Sequence, residues 1–204
     1  IGCGTGFLSM ALQEEGVTGD FLLTDLAPAM VERARARFGD GASYAVLDGE
    51  FGTPVGGPFD LICASLVTQW FTDEPAALAR WQDWLTPDGH IMVATLGPET
   101  FAEWRDAHHA EGLCPGTLDF TPQEAFSHLD LAEPISVEPY RERHDSARDF
   151  LVGLRAIGAQ TAAPSHRALS AGELRRVMRR FEASDAIASY QVMTCHLTAA
   201  TSGA

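Results

Sequence analysis

The first six residues, Ile1-Gly2-Cys3-Gly4-Thr5-Gly6, make a G-x-G-x-G turn. Glycines at this spacing let a backbone approach a ligand without Cβ clashes, and a helix opening straight after them presents free N–H groups. That is the chemistry of a nucleotide-type site. Two acids strengthen it. Asp25 ends an apolar run about 20 residues downstream, where a carboxylate can accept both hydroxyls of a ribose. Asp48-Gly49-Glu50 follows the next such run, where an acid can accept from an exocyclic amine. Each acid alone reads equally well as a solvated loop residue. Three features at consecutive strand ends, where open α/β sheets bind ligands, read as one site. The spacing departs from the dinucleotide fingerprint G-x-G-x-x-G, because the third glycine comes one residue early.

The elements that must hold these residues alternate. Residues 5–15 carry Phe7, Leu8, Met10, Ala11 and Leu12, the apolar pattern of an amphipathic helix. Phe21 to Asp25 reads as a strand, and Pro28 opens a helix over 28–38 that stops at Gly39. Ser43 to Leu47 predicts a strand, and 49–58, rich in Gly and Pro, a loop. Phe59 to Ala64 predicts a buried strand, Pro75 to Leu85 a helix, Thr86-Pro87-Asp88-Gly89 a turn, and His90 to Leu96 a strand. Beyond Gly97-Pro98 the pattern predicts helices at 99–111, 121–129, 146–158 and 170–184, and strands at 135–143 and 190–198. Strands joined by single helices imply right-handed crossovers and a parallel sheet covered on both faces. Ile1 is expected to be the stump of the first strand, and the later strands an antiparallel pair.

Charge narrows the function further. The 204 residues hold 14 basic residues, all Arg, against 28 acids, for a net charge of −14. Such a field repels phosphate, which argues against nucleic acid or an anionic membrane as partner. No apolar run is long enough for a membrane span. Cys3, Cys63, Cys114 and Cys195 are scattered, which reads as reduced thiols in a cytoplasmic protein, with neither a disulfide framework nor a metal site. The distribution is uneven: residues 1–98 carry 4 Arg and 13 acids, whereas 141–180 carry 9 Arg and 4 acids, net +5. The basic segment reads as a solvated helix face or as a docking patch for an acidic carrier protein. Arg141, Arg143 and Arg155 are alternatively suited to pairing with a substrate carboxylate.

The set G-C-G-T-G, L-T-D-L, L-D-G-E and F-D-L-I-C over residues 1–98 resembles the class I S-adenosylmethionine-dependent methyltransferases. The resemblance implies a Rossmann-like fold: a mostly parallel seven-stranded sheet with helices on both faces and a small helical cap. It also implies that Gly2, Gly4 and Gly6 line the methionine end of the cofactor and Asp25 holds the ribose. Leu26 and Met30 would flank the adenine and Asp48 would meet its amino group. Cys3, Gly49, Glu50 and Ser65 complete that cofactor-binding set.

A narrower likeness runs through S-L-V-T-Q-W at Ser65–Trp70, D-E-P-A-A-L at Asp73–Leu78 and A-T-L-G-P-E-T at Ala94–Thr100. Phe150–Ala159, with Arg155 where Lys is common, and Ser189-Tyr190-Gln191-Val192 extend it. These are similar to the family of malonyl-acyl-carrier-protein O-methyltransferases of biotin synthesis. The family implies a methyl esterification of the free carboxylate of malonyl-acyl carrier protein or malonyl-CoA, in the pimelate-forming part of the pathway. It implies one methyltransferase domain over 1–204, with helical insertions at about 99–130 and 146–184 and with the first strand and cap ahead of Ile1.

A carboxylate is already ionised at neutral pH, so the reaction needs no general base. It needs an oxygen placed about 3 Å from the methyl carbon, and water excluded. Gln69 and Trp70, past the end of a strand, are expected beside the reacting methyl, with Arg155 as the third catalytic candidate. Trp70 reads alternatively as a core or lid aromatic. His108-His109 point in different directions on a helix and read as surface or cap residues. Trp81 and Trp84 read as packing residues, and the Cys3 thiol as packed, not nucleophilic. The rivals are a methyltransferase for another small carboxylate such as trans-aconitate, and a non-catalytic methyltransferase-fold assembly factor.

Overall fold

The computed structural model describes residues 1–156, 163 and 166–200. They fall into two compact units. The first comprises Ile1–Thr95, Gln123–Ser136 and Met193–Ala204, the second Leu96–Pro122 and Val137–Val192.

In the first unit, α1 (Phe7–Glu14) follows the glycine turn directly. Strand β1 (Phe21–Asp25) pairs in parallel with β2 (Ala42–Val46), from Phe21 opposite Ala42 to Asp25 opposite Val46. The crossover between them is α2 (Pro28–Phe38), with Pro28 in its first turn, where a missing N–H costs nothing, and Gly39 at its end. Because the pairing is parallel, Asp25 and the residues after β2 emerge at the same end of the ladder, and the Leu47 amide bonds the Asp25 carbonyl at 3.0 Å.

Strand β3 (Phe59–Ser65) pairs in parallel with β4 (Leu85–Leu96), and β6 (Ile187–Thr198) is the neighbour of β4 on its other side. Between β3 and β4 lies α3 (Glu74–Gln82), whose Asp73 caps it by accepting from the Ala76 amide at 3.0 Å. Trp81 and Leu78 drop from α3 onto Ile62, Ala64, Ile91 and Val93 of the sheet, with Phe126, Met193, Cys195 and Leu197 completing the core.

The second unit has α4 (Ala102–His109), β5 (Ser136–Arg143) beside β6, α5 (Ala147–Ala156) and α6 (Ala171–Ala183). Its core is aromatic: Phe101, Trp104, Phe150 and Phe181 interlock, with Trp104 and Phe181 edge to face at 5.4 Å.

Four expectations need correcting. The seven-stranded sheet does not form as such; six strands are described, two in one sheet and four in the other. The reason is local. The Ile1 amino group donates to the Cys63 carbonyl at 2.7 Å and the Cys3 amide to the Thr24 carbonyl at 2.8 Å. Residues 1–3 thus occupy the position between β1 and β3 but make one rung to each, too few to join the two sheets. Second, Thr86–Gly89 is no separate turn. Phe59 pairs with Leu85 and Leu61 with His90, so these four residues are an excursion within β4. Third, the helix expected at 121–129 is a 3-10 turn over Gln123–Phe126, between Pro122 and Pro134, too short a stretch to repay helix nucleation. Fourth, α4 starts at Ala102, not residue 99, because Phe101 has φ 59° and breaks the helical run. Residues 157–159 of the expected 146–158 helix and of the motif ending at Ala159 lie outside the described residues.

Candidate functional site

The site is built on the first unit, where β1, β2 and β3 end. Gly4 has φ 51°, a left-handed conformation that a Cβ resists, and no atom lies within 4 Å of where its Cβ would stand. The turn offers bare backbone beside open space. At Gly2 the constraint is opposite: a Cβ there would fall 2.3 Å from Val67 Cγ2, so the segment after β3 packs directly on the turn. Asp25 fixes the turn from the β1 side. Its Oδ2 accepts from the Gly4 amide at 2.9 Å and its Oδ1 from the Ala27 amide at 2.9 Å. Each oxygen keeps a second acceptor position for a ligand hydroxyl.

Asp48 is less engaged. Its Oδ1 accepts from the amides of Glu50 at 2.9 Å and Phe51 at 3.1 Å, and its Oδ2 has no partner among the described residues. Glu50 behaves differently from its neighbour. Its buried carboxylate accepts from the amides of Thr72 at 2.7 Å and Asp73 at 2.9 Å, and its carbonyl accepts from Arg80. That carboxylate holds the turn that leads into α3. Gly49 has no room for a side chain: a Cβ would stand 2.6 Å from Ile1 Cγ2, and its carbonyl accepts from the Trp81 indole at 2.9 Å. Leu26 is exposed and Met30 half-buried, both just after β1. Burial first, and the Asp25 charge second, push the Cys3 thiol up, so it stays protonated at neutral pH and is no nucleophile.

Ser65 ends β3 in an exposed position. The next residue carries a feature that sequence reasoning missed. Leu66 has φ 54°, a left-handed conformation costing about 1–2 kcal/mol for a residue with a Cβ. Two hydrogen bonds hold it there: its amide donates to the Ala94 carbonyl at 2.7 Å, and its carbonyl accepts from Gln69 Nε2 at 2.8 Å. The reversal feeds a 3-10 turn, Thr68–Trp70. Thr68 donates to the buried Glu74, whose second oxygen is unpartnered among the described residues. Gln69 Oε1 is also buried without a donor, and Trp70 beside it is 44% exposed. One group lacks a hydrogen bond among the described residues and its neighbour lacks apolar cover.

Phe7 and Phe51 were missed too. Each is 70% exposed, Phe7 at the start of α1 after the glycine turn and Phe51 on the loop after Asp48. Arg37 lies over the Phe7 ring at 3.8 Å and reaches the Thr5 hydroxyl at 3.5 Å. Their one signal in the sequence is position, directly after G-x-G-x-G and D-G-E.

Every site residue expected from the sequence lies in the first unit except the three carboxylate candidates Arg141, Arg143 and Arg155; Arg155 is exposed at the end of α5 in the second. There Arg143 pairs with Asp185 at 3.2 Å and Arg141 stands 3.9 Å from Glu103. Burial works to raise the Glu103 carboxyl, but the Ser189 hydroxyl and amide, with Arg141, outweigh it and hold the carboxyl below its ordinary range. Arg155 has no counterion among the described residues. Of their His, Cys, Asp and Glu side chains, no group of three is placed to hold a metal ion.

Residues 1–91 match a family model described as "Methyltransferase domain". The chain is 40% identical over 191 residues to the biotin biosynthesis bifunctional protein BioCD of Bordetella avium, covering 94% of this chain and 41% of that protein. It is 35% identical over 192 residues to a malonyl-[acyl-carrier protein] O-methyltransferase of Magnetococcus marinus, covering 88% of this chain and 68% of that one. The chain therefore spans less than half of the bifunctional relative and about two thirds of the other. Among solved structures, an S-adenosylmethionine-dependent methyltransferase from Mesorhizobium loti superposes with a TM-score of 0.51 at 18% identity, over 95% of this chain and 88% of that one. That likeness shows the fold: an α/β, class I methyltransferase fold.

Proposed function

The chain belongs to the family of malonyl-[acyl-carrier protein] O-methyltransferases, and on that premise we propose that it esterifies the free carboxylate of a malonyl thioester in the early, pimelate-forming part of biotin synthesis. The acceptor is malonyl-acyl carrier protein, or malonyl-CoA as its small counterpart. The observation that carries the reading is the open backbone at Gly4, flanked by Asp25 and by the free oxygen of Asp48. These residues fit S-adenosylmethionine, which when bound supplies an electrophilic methyl group. Gly2, Gly4 and Gly6 line its amino-acid end with backbone that carries no Cβ. Asp25 accepts from the ribose hydroxyls with its remaining lone pairs, Leu26 and Met30 cover the adenine, and Asp48 Oδ2 accepts from the exocyclic amine.

The acceptor carboxylate is ionised at neutral pH, so no base is required of this chain. Its task is placement and the exclusion of water. Trp70 gives the thioester arm an apolar wall, and Gln69, whose Nε2 donates to the Leu66 carbonyl, orients the turn that carries Trp70. Of the three arginines suited to the carboxylate, two have acids beside them, which leaves Arg155 as the cation proposed for it. The reading treats residues 1–204 as one methyltransferase domain. No helix among the described residues is long and apolar enough to cross a membrane, and a cytoplasmic site of action suits the substrate.

Transfer of a labelled methyl group from S-adenosylmethionine to malonyl-acyl carrier protein, with growth of a biotin auxotroph that lacks this step, tests the reading. Labelling of trans-aconitate in place of either malonyl thioester would move it to the rival substrate. Binding of NAD with no affinity for S-adenosylmethionine or S-adenosylhomocysteine would remove the cofactor assignment.

A further inference from the structure

The arginines of the second unit divide into two sets. Arg176 and Arg180, one turn apart on α6, both clamp Glu111, at 2.9 and 2.8 Å. Arg167 pairs with Glu173 at 2.8 Å, and Arg143 with Asp185 at 3.2 Å. These cations are neutralised within the unit. Arg148 on α5, and Arg175 and Arg179 on α6, are exposed and make no ion pair or hydrogen bond among the described residues.

Helix periodicity explains the division. On α6, Val177 and Phe181 are buried. At 100° per residue Arg176 and Arg180 fall to one side of that face, toward Glu111, while Arg175 and Arg179 fall opposite it and point to solvent. On α5, Ala147 and Phe150 are buried, and Arg148 and Val152 share one exposed stripe, one turn apart. Val152 is 56% exposed. The helices are held to each other by Phe150 against Phe181, ring centres 5.1 Å apart, and by the Ala147 amide donating to Glu182 at 3.0 Å. Beside Arg155, proposed above for the substrate carboxylate, the result is three further guanidinium groups without counterions and an exposed aliphatic side chain on two packed helices.

We propose that Arg148, Val152, Arg175 and Arg179 form the surface that docks the carrier protein bearing the malonyl thioester, through acidic side chains of that carrier. The proposal rests on the function proposed above and adds the surface that recognises its macromolecular substrate. Charge complementarity selects the occupant. The protein carries −14 overall, so an acidic partner meets repulsion at long range. Charges beyond a Debye length of about 8 Å are screened at physiological salt, and at contact the nearest groups decide. Arginines without internal counterions give up no existing pair when they meet a partner's carboxylates, whereas Arg176 and Arg180 would have to release Glu111. The sequence alone pointed to the whole segment 141–180; the ion pairs narrow it to the arginines that have no partner of their own.

The test compares two substrates with the same acceptor group, malonyl-loaded bacterial acyl-carrier protein and malonyl-CoA, in the wild-type chain and in the double reversal Arg175→Glu/Arg179→Glu. Direct binding of the carrier is measured alongside by fluorescence anisotropy. Expected are a rise of roughly tenfold in the carrier KM and Kd at low salt, shrinking at high salt, with kcat, the malonyl-CoA KM, S-adenosylmethionine affinity and Tm unchanged. Val152→Asp is expected to weaken carrier binding with less dependence on salt. The proposal is overturned if the double reversal leaves carrier affinity unchanged, or if it slows the carrier and CoA substrates equally. Should the wild type methylate neither thioester, the functional reading fails by that result, and the anisotropy measurement still decides whether this face binds the carrier.

Discussion

The two units solve opposite electrostatic problems. The first holds sixteen acids and four arginines, net −12; the second holds twelve acids and ten arginines, net −2. In the first, the acids that matter work at close range on the chain's own amides: Asp25 on Gly4 and Ala27, Asp48 on Glu50 and Phe51, Glu50 on Thr72 and Asp73. They shape loops at strand ends. In the second, the arginines that pair do so with carboxylate side chains, Arg176 and Arg180 with Glu111 and Arg143 with Asp185, while others on α5 and α6 stay exposed. Backbone-directed carboxylates build a pocket of fixed shape, suited to a small ligand. Side-chain cations on a helix face build a field, suited to a large one. The contrast in cores agrees: aliphatic residues from strands with Trp81 in the first unit, a cluster of interlocked rings in the second.

The strongest way to break the comparison is to damage each core in turn. Trp81 is fully buried, stacked on Trp84 at 6.2 Å and edge-on to Phe71 at 6.0 Å. Trp81→Ala is expected to cost about 3–5 kcal/mol of stability and also to leave the Gly49 carbonyl without its donor, beside Asp48. Phe150→Ala in the second unit is expected to cost a similar amount. Urea unfolding combined with calorimetry of the folded protein separates them: Trp81→Ala weakens S-adenosylmethionine binding, whereas Phe150→Ala leaves it intact. Equal loss of binding in both would erase the distinction between a ligand-shaping unit and a surface-bearing one.

Next in size is Asp25→Ala. It removes the acceptor of the Gly4 and Ala27 amides as well as that proposed for the ribose, and is expected to weaken S-adenosylmethionine by roughly 1.5–3 kcal/mol. Asp25→Asn, which keeps one carbonyl oxygen, should recover part of the loss; unchanged affinity in the alanine variant would remove Asp25 from the site. A smaller effect is expected from pH in the second unit. Burial lowers the pKa of His108, whose Nδ1 donates to the Trp104 carbonyl at 2.8 Å in the neutral ring. A folded-state pKa below the unfolded value gives stability that is complete above about pH 6.5 and is lost as pH falls through the folded pKa. Denaturant midpoints between pH 7.5 and 5 should therefore decline, and decline less in His108→Gln. A flat profile in both proteins would show that the ring protonates without cost. The smallest expected effect is nil: EDTA leaves methyl transfer unchanged, and loss with rescue by one divalent ion would reveal a metal.

Much of the first unit was legible because its determinants are local. A glycine turn, an acid at each strand end and Pro28 at a helix start act within a few residues of themselves, and composition shows them. The β1, α2, β2 and β3 assignments rested on such signals and stand close to where they were expected. The places where local signals misled share a cause. Thr86–Gly89 reads as a turn by composition, but the ladder on either side of it belongs to one strand. Residues 99–101 read as helix, but a hydrogen bond from the Phe101 amide to the Ser189 carbonyl, at 2.6 Å, holds the backbone out of it. In each case a partner distant in sequence overrides propensity, which is worth only tenths of a kcal/mol per residue.

The site divides along the same line. The types and spacing of Gly2, Gly4, Gly6, Asp25 and Asp48 were set by the sequence, since each acts through its own backbone freedom or a bare carboxylate. That Glu50 serves the chain's own amides while Asp48 keeps a free oxygen was decided by tertiary structure, because two neighbouring acids are told apart only by what folds against them. The same holds for Leu66, pinned into a left-handed conformation by Ala94, and for the arginines, all of one residue type, of which Glu111 takes two and leaves their neighbours to solvent. Sequence determines which groups carry charge and where the backbone can bend. Only packing decides which of those groups are already satisfied, because a hydrogen bond or ion pair depends on positions a few ångströms apart in space and as much as 116 residues apart in the chain.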